Sequence, residues 1–99
     1  MENNTYEKYL PIGTVVMLKG ASKRVMITGF CNIDESNKDK VYDYSGCVYP
    51  EGVISSKQTL LFDHSQIDKV YFVGYDDDEN KQFQTKLKNL MNDINKKNN

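Results

Sequence analysis

The fold turns on residues 14–31. Thr14-Val15-Val16-Met17-Leu18-Lys19 and Arg24-Val25-Met26-Ile27-Thr28-Gly29-Phe30-Cys31 flank a short loop with Gly20 near its start. Two runs rich in β-branched and apolar residues around such a loop read as a β-hairpin. Upstream, Leu10-Pro11-Ile12-Gly13 reads as a turn, since Pro sets φ and Gly relieves it. Downstream, residues 32–40 hold one large apolar side chain, Ile33, among charges, and read as a surface loop. Val41-Tyr42-Asp43-Tyr44 reads as a third strand, ended by Gly46 and the Pro50-Glu51-Gly52 turn. Thr59-Leu60-Leu61-Phe62 reads as a fourth strand. Asp63 to Ile67 looks like one helical turn opened by a polar cap. Lys69 to Tyr75 reads as a fifth strand.

Beyond it, Phe83, Leu87, Leu90, Met91 and Ile94 recur at helical spacing and make one apolar stripe. Asp76, Asp77, Asp78 and Glu79 stand at the start of that helix, where a cap and negative charge suit its dipole. Lys86, Lys88, Lys96 and Lys97 weight its later half. The class expected is therefore α+β, mainly β: a small five-stranded SH3-like barrel or rolled antiparallel sheet with a C-terminal amphipathic helix. The helical turn before the last strand favours the SH3-like form. One domain is expected over residues 1–99, with an ordered core at about 6–95, the β part at 10–75 and the helix at about 77–95. The first five and last four residues are polar and expected to fray.

Thirteen Lys and Arg against fourteen Asp and Glu give a net charge of −1. Cations and anions are interspersed, and the one dense run is acidic, so nucleic acid is not an expected partner. The longest apolar run, Val15 to Leu18, is far short of the ~20 residues that span a bilayer. The polar N-terminus resembles neither a signal nor a transit peptide, and a cytoplasmic protein without membrane insertion is expected. In the hairpin register, Cys31 falls opposite about Tyr42, several residues along the ladder from Cys47. That is too far for a disulfide, so two reduced thiols are expected.

Candidate chemistry is sparse. The run Asp76 to Glu79 lacks the mid-loop Gly of a calcium loop, and helix capping accounts for it. His64 is the only histidine. Its neighbour Asp63 would point elsewhere, Ser65 lacks a nucleophile-elbow context, and a turn or cap role fits. No phosphate loop or Cys/His cluster occurs, so no catalytic residue, cofactor or metal is expected. Tyr42, Tyr44 and Tyr49 crowd a short stretch beside Gly46 and the Pro50 turn. They either pack over the mouth of the sheet or form a protein-binding patch, with Glu51, His64 and Tyr75 as its other members.

Several stretches together resemble a family of small Firmicutes proteins, the domain-of-unknown-function family numbered 4176. They are Leu10 to Val16 with Leu18-Lys19-Gly20, Arg24 to Gly29, Tyr42-Asp43-Tyr44 with Gly46-Cys47, Tyr49 to Gly52, and Phe62-Asp63-His64 with Ile67, Val70, Phe72, Gly74 and Tyr75. The resemblance runs from residue 10 to 79. It implies a fold and no catalytic residues. Members are often encoded beside type VII secretion genes and their toxins, which implies a non-enzymatic adaptor or chaperone-like role with a protein partner, such as a toxin or its export factors. An immunity protein that neutralises a neighbouring toxin, or an SH3-like nucleic-acid protein, are the alternatives. Tyr75 with Glu79 also matches the degenerate export pattern of type VII substrates. Seven tyrosines among so many acids make that match by chance, and the chain lacks the Trp of the usual substrate.

Overall fold

The computed structural model describes residues 8–34 and 37–97. Residues 6 and 7 of the expected core, residues 35 and 36 of the expected loop, and the termini 1–5 and 98–99 lie outside the described residues. Five strands follow in chain order: β1 (Val15–Leu18), β2 (Val25–Asp34), β3 (Asn37–Val48), β4 (Leu60–Phe62) and β5 (Ile67–Phe72). Short 3-10 turns at Ser56–Gln58 and His64–Gln66 precede β4 and β5, and helix α1 (Asp78–Lys97) ends the described chain. The strands form one antiparallel sheet in the order β4-β3-β2-β1-β5. Its two ends, β4 and β5, do not pair with each other, so the SH3-like barrel expected from the sequence is not closed and the sheet stays open.

The expected hairpin is β1–β2, with Val15 opposite Met26 and Val16 opposite Val25. Gly20 takes φ +78° in its loop, and Gly13 takes φ +94° in the turn before β1. Three expectations are corrected. The stretch 32–40 is not a loop: β2 runs to Asp34 and β3 starts at Asn37, with Asn32 opposite Tyr42 and Ile33 opposite Val41. Ladder pairing uses backbone groups that polar residues also carry, so low hydrophobicity did not end the strands. Gly46 does not end β3 but lies inside it, opposite Ile27. A Cβ there would sit 2.6 Å from the Met26 carbonyl oxygen and 2.8 Å from Val25 Cγ1, so the close approach of β3 needs a bare backbone. The last strand stops at Phe72, because the Gly74 amide turns to donate to Thr14 Oγ1 at 3.0 Å.

Tyr9, Leu10, Val16, Val25, Ile27, Tyr44, Phe62, Ile67 and Leu87 make the core. Cys47 lies opposite Met26, well along β3 from the Cys31 level, and both thiols are free. On α1 the cap is Asp77, whose Oδ1 accepts from the Asn80 amide at 2.9 Å. The Asp76 carboxylate takes Asn80 Nδ2 at 2.8 Å and Lys81 Nζ at 3.4 Å, which holds it below the usual carboxylate range. The helix is set down on the sheet by Leu87 in the core, by Met91 against it, by Phe83 on the Phe30 ring, and by Gln84, whose side chain donates to the Tyr9 carbonyl. The stripe is only half covered: Phe83 and Leu90 remain 46% and 49% exposed. Among the described residues, no helix is long and apolar enough to cross a membrane.

This division makes the helix separable by mutation. Leu87→Ala should lower unfolding free energy by about 2–5 kcal/mol, whereas Leu90→Ala should change it by less than about 1 kcal/mol. Chemical denaturation of both variants checks this, and equal effects would place the helix contact wrongly.

Candidate functional site

Tyr44 is fully buried at the middle of β3, with its ring 5.4 Å from that of Phe62 and 5.9 Å from that of Tyr9. Its hydroxyl accepts the Leu10 amide at 3.1 Å and lies 2.8 Å from His64 Nδ1. The amide can only donate, so the phenol oxygen accepts there and keeps a second lone pair and its hydrogen for the Nδ1 contact, whose direction follows the His64 tautomer. Asp43 is buried alongside: its carboxylate accepts the His64 amide at 2.9 Å and pairs with Lys8 at 3.3 Å. Asp63 accepts the Asp43 amide at 3.1 Å and Lys40 Nζ at 2.8 Å, and that bond raises the lysine pKa. Lys8, Lys40, Asp43, Asp63 and His64 border, with Lys19, a depression of about 520 Å³ in which Lys8 pairs with Asp43 and Lys40 with Asp63. His64 opens the 3-10 turn, Asp63 caps it, and the ring's Nδ1 is engaged by Tyr44. The arrangement braces the β3–β4–β5 corner.

A different surface opens under residues 49–59, which arch from β3 to β4. A cleft of about 600 Å³ lies there, floored by Cys47, Val48 and Leu60 and flanked by Val53 and Ile54. Those last two side chains are each 67% exposed. At the mouth Lys23 pairs with Glu51 at 2.8 Å, which draws the Glu51 carboxyl below its usual range. The described residues include no group of three or more His, Cys, Asp or Glu placed to hold a metal.

Beside the cleft, the outer face of the sheet carries a cross-strand row. Val48, Val25, Val16 and Val70 stand opposite one another. Val25 and Val16 belong to the buried core and Val70 packs against it. One residue along, Tyr49, Arg24, Met17 and Lys69 therefore point outward. The Tyr49 amide donates to the Arg24 carbonyl at 2.9 Å, which extends the ladder to this row. Arg24 lies 5.1 Å from the Tyr49 ring and 5.6 Å from the Tyr71 ring, and Lys69 Nζ lies 4.9 Å from the Tyr71 ring. Bulges place one extra residue of β5, Asp68 and then Tyr71, between successive β1 partners. They leave Tyr71 and Phe72 both exposed, where strict alternation would turn one inward.

The residues singled out from the sequence thus divide among three places. Tyr44 and His64 are brought together, but inside: Tyr44 is core, not surface, because β3 turns it onto Phe62 and Tyr9. Tyr42 is half-buried near them under Lys40 Nζ, at 4.9 Å. Tyr49 and Glu51 lie at the cleft and the outer row, and Tyr75 stands 82% exposed beyond β5. Sequence reasoning passed over Val53 and Ile54, an apolar pair in a turn-rich stretch without strand alternation. It also passed over Arg24, Lys69 and Tyr71, which come together only through strand register.

The family model described as Domain of unknown function (DUF4176) matches residues 9–83. The chain belongs to this family. The DUF4176 span covers the whole sheet, the cleft and the outer row, and ends within the first turns of α1. No curated protein and no solved structure gives a significant match.

The brace has an alkaline signature. Burial pushes the phenols of Tyr9 and Tyr44 well above the ordinary tyrosine range. A group whose pKa is raised by folding contributes stability below its unfolded value, near 10, and that contribution is lost as pH rises towards the folded value. Phenolate absorbance should therefore leave two tyrosines untitrated until the chain unfolds in alkali. Tyr44→Phe should remove one of them and cost about 1–3 kcal/mol by leaving the Leu10 amide unpaired. Smooth titration of all seven tyrosines together in the folded protein would contradict the brace.

Proposed function

We propose that this DUF4176 protein is a non-enzymatic binding protein, an adaptor or chaperone-like accessory, that docks a protein partner at the cleft beneath residues 49–59. The observation that carries the reading is the exposed pair Val53 and Ile54 on the rim of a cleft of about 600 Å³. Exposed apolar side chains grouped around a concavity cost solvation unless a partner covers them. The pairing of Lys23 with Glu51 at the mouth fits the polar rim of such an interface. The accessory role at type VII secretion toxin loci, in the cytoplasm, is the context that the family resemblance suggests for this partner.

The test is co-expression of the tagged chain with the products of its neighbouring operon. The tagged chain should retain one of them, and Val53→Asp with Ile54→Asp should release it without changing the melting temperature. If no product is retained and deletion of the gene leaves toxin export unchanged, the reading is wrong. Rescue of cells making the toxin domain alone would replace an accessory role with immunity.

A further inference from the structure

The outer row beside the cleft carries a charge arrangement that a partner would complete. Four described lysines have carboxylates against them: Lys8 with Asp43, Lys23 with Glu51, Lys40 with Asp63 and Lys81 with Asp76. Among the described residues Arg24 and Lys69, like Lys19, Lys57 and Lys86, have no carboxylate within ion-pair distance, and Arg24 and Lys69 both lie against the Tyr71 ring, Arg24 against Tyr49 as well. Each cation is attracted to the ring face, and the two like charges around one ring repel each other. Tyr49 and Tyr71 stay substantially exposed, and Phe72 is 62% exposed beside them. Among the described residues, this surface therefore offers cations without anions next to partly exposed aromatic rings.

From this complementarity we propose that the row Tyr49–Arg24–Tyr71–Lys69 receives an acidic segment of the protein partner, its carboxylates between Arg24 and Lys69 and its apolar side chains on the two tyrosine rings. The inference rests on the binding reading above and names the chemistry of the partner. Arg24 can take a carboxylate in a forked pair, and Lys69 adds a point charge. The row adjoins the cleft, since Lys23, which pairs at the cleft mouth, directly precedes Arg24. One extended segment can run from the row into the cleft. Single-stranded nucleic acid fits less well: it needs a groove that tracks many phosphates, and this row presents two cations on a chain of net charge −1.

The experiment uses the full chain and three fluorescein-labelled probes: a peptide of Glu-Ala-Glu-Leu repeats, its Gln-Ala-Gln-Leu counterpart, and oligothymidylate of similar length. By anisotropy the Glu peptide should bind saturably and weaken as salt is raised. Both the Gln peptide and the Arg24→Gln/Lys69→Gln variant should bind about tenfold more weakly, as expected for two partly exposed charge contacts. Lys69→Gln alone, which gives up one ring contact, serves as a second variant should the double substitution lower the melting temperature. Equal binding of the Gln peptide, parental affinity in the variants, no binding of the Glu peptide, or tighter binding of the oligonucleotide would each overturn the proposal. In the co-expression assay, capture that survives the Arg24 and Lys69 substitutions but not those at Val53 and Ile54 would sink the acidic-segment inference and leave the binding reading standing. No capture by the parent chain would sink the binding reading itself.

Discussion

A single buried hydroxyl ties the protein together. The Tyr44 phenol holds the Leu10 amide on one side and His64 Nδ1 on the other, and its ring packs on Phe62, Tyr9 and Phe30. Through those contacts it joins the segment before β1, the middle of β3, β4, and the turn into β5. Tyr9 carries the connection further, because its carbonyl accepts the Gln84 side chain and so fixes α1 against the segment. A hydroxyl so enclosed is costly unless every site is satisfied. The sheet order leaves β4 and β5 unpaired at its ends, and this polar tie holds the corner between them without a closed ladder.

The same arrangement explains why the exposed surface lies where it does. The inward side chains of β1, β2, β3 and β5 are used up in one core, and Gly46 lets β3 approach β2 closely enough for that core to pack. Residues 49–59 then have no core left to bury Val53 and Ile54, and they arch over the cleft instead. On the opposite side of the same register, Arg24, Lys69 and two tyrosines share an outer row. The bulges in β5 make that strand irregular as an edge, which works against simple strand addition and favours contact through side chains.

Much of this was legible in the sequence, for physical reasons that differ by element. The β1–β2 hairpin is marked by β-branched runs around Gly20, the 3-10 turn by Asp63, and α1 by its apolar spacing and its aspartate cap. What stayed hidden depends on long-range pairing. The polar arms that lengthen the β2–β3 hairpin carry no hydrophobic signal, and Gly46 inside a strand looks like a terminator until its neighbour's carbonyl is placed. Tyr44 has the composition of an interface residue, and only the partners of its hydroxyl reveal it as core. Likewise Tyr49, Arg24 and Tyr71 are scattered in the chain and meet only across the sheet, while Tyr75, near Tyr71 in sequence, stands apart from that row.

With these partners the Leu10–Tyr44–His64 tie belongs to the cooperative core rather than to a loosely attached terminus. Native-state hydrogen exchange at the Leu10 amide, followed by NMR beside the amides of Val16 and Ile27, tests it most directly. If the tie holds, Leu10 exchanges only through global unfolding, with the same protection free energy as the core strands and the same dependence on denaturant. Exchange of Leu10 at the rate of a frayed segment, while Val16 and Ile27 stay protected, would contradict the account.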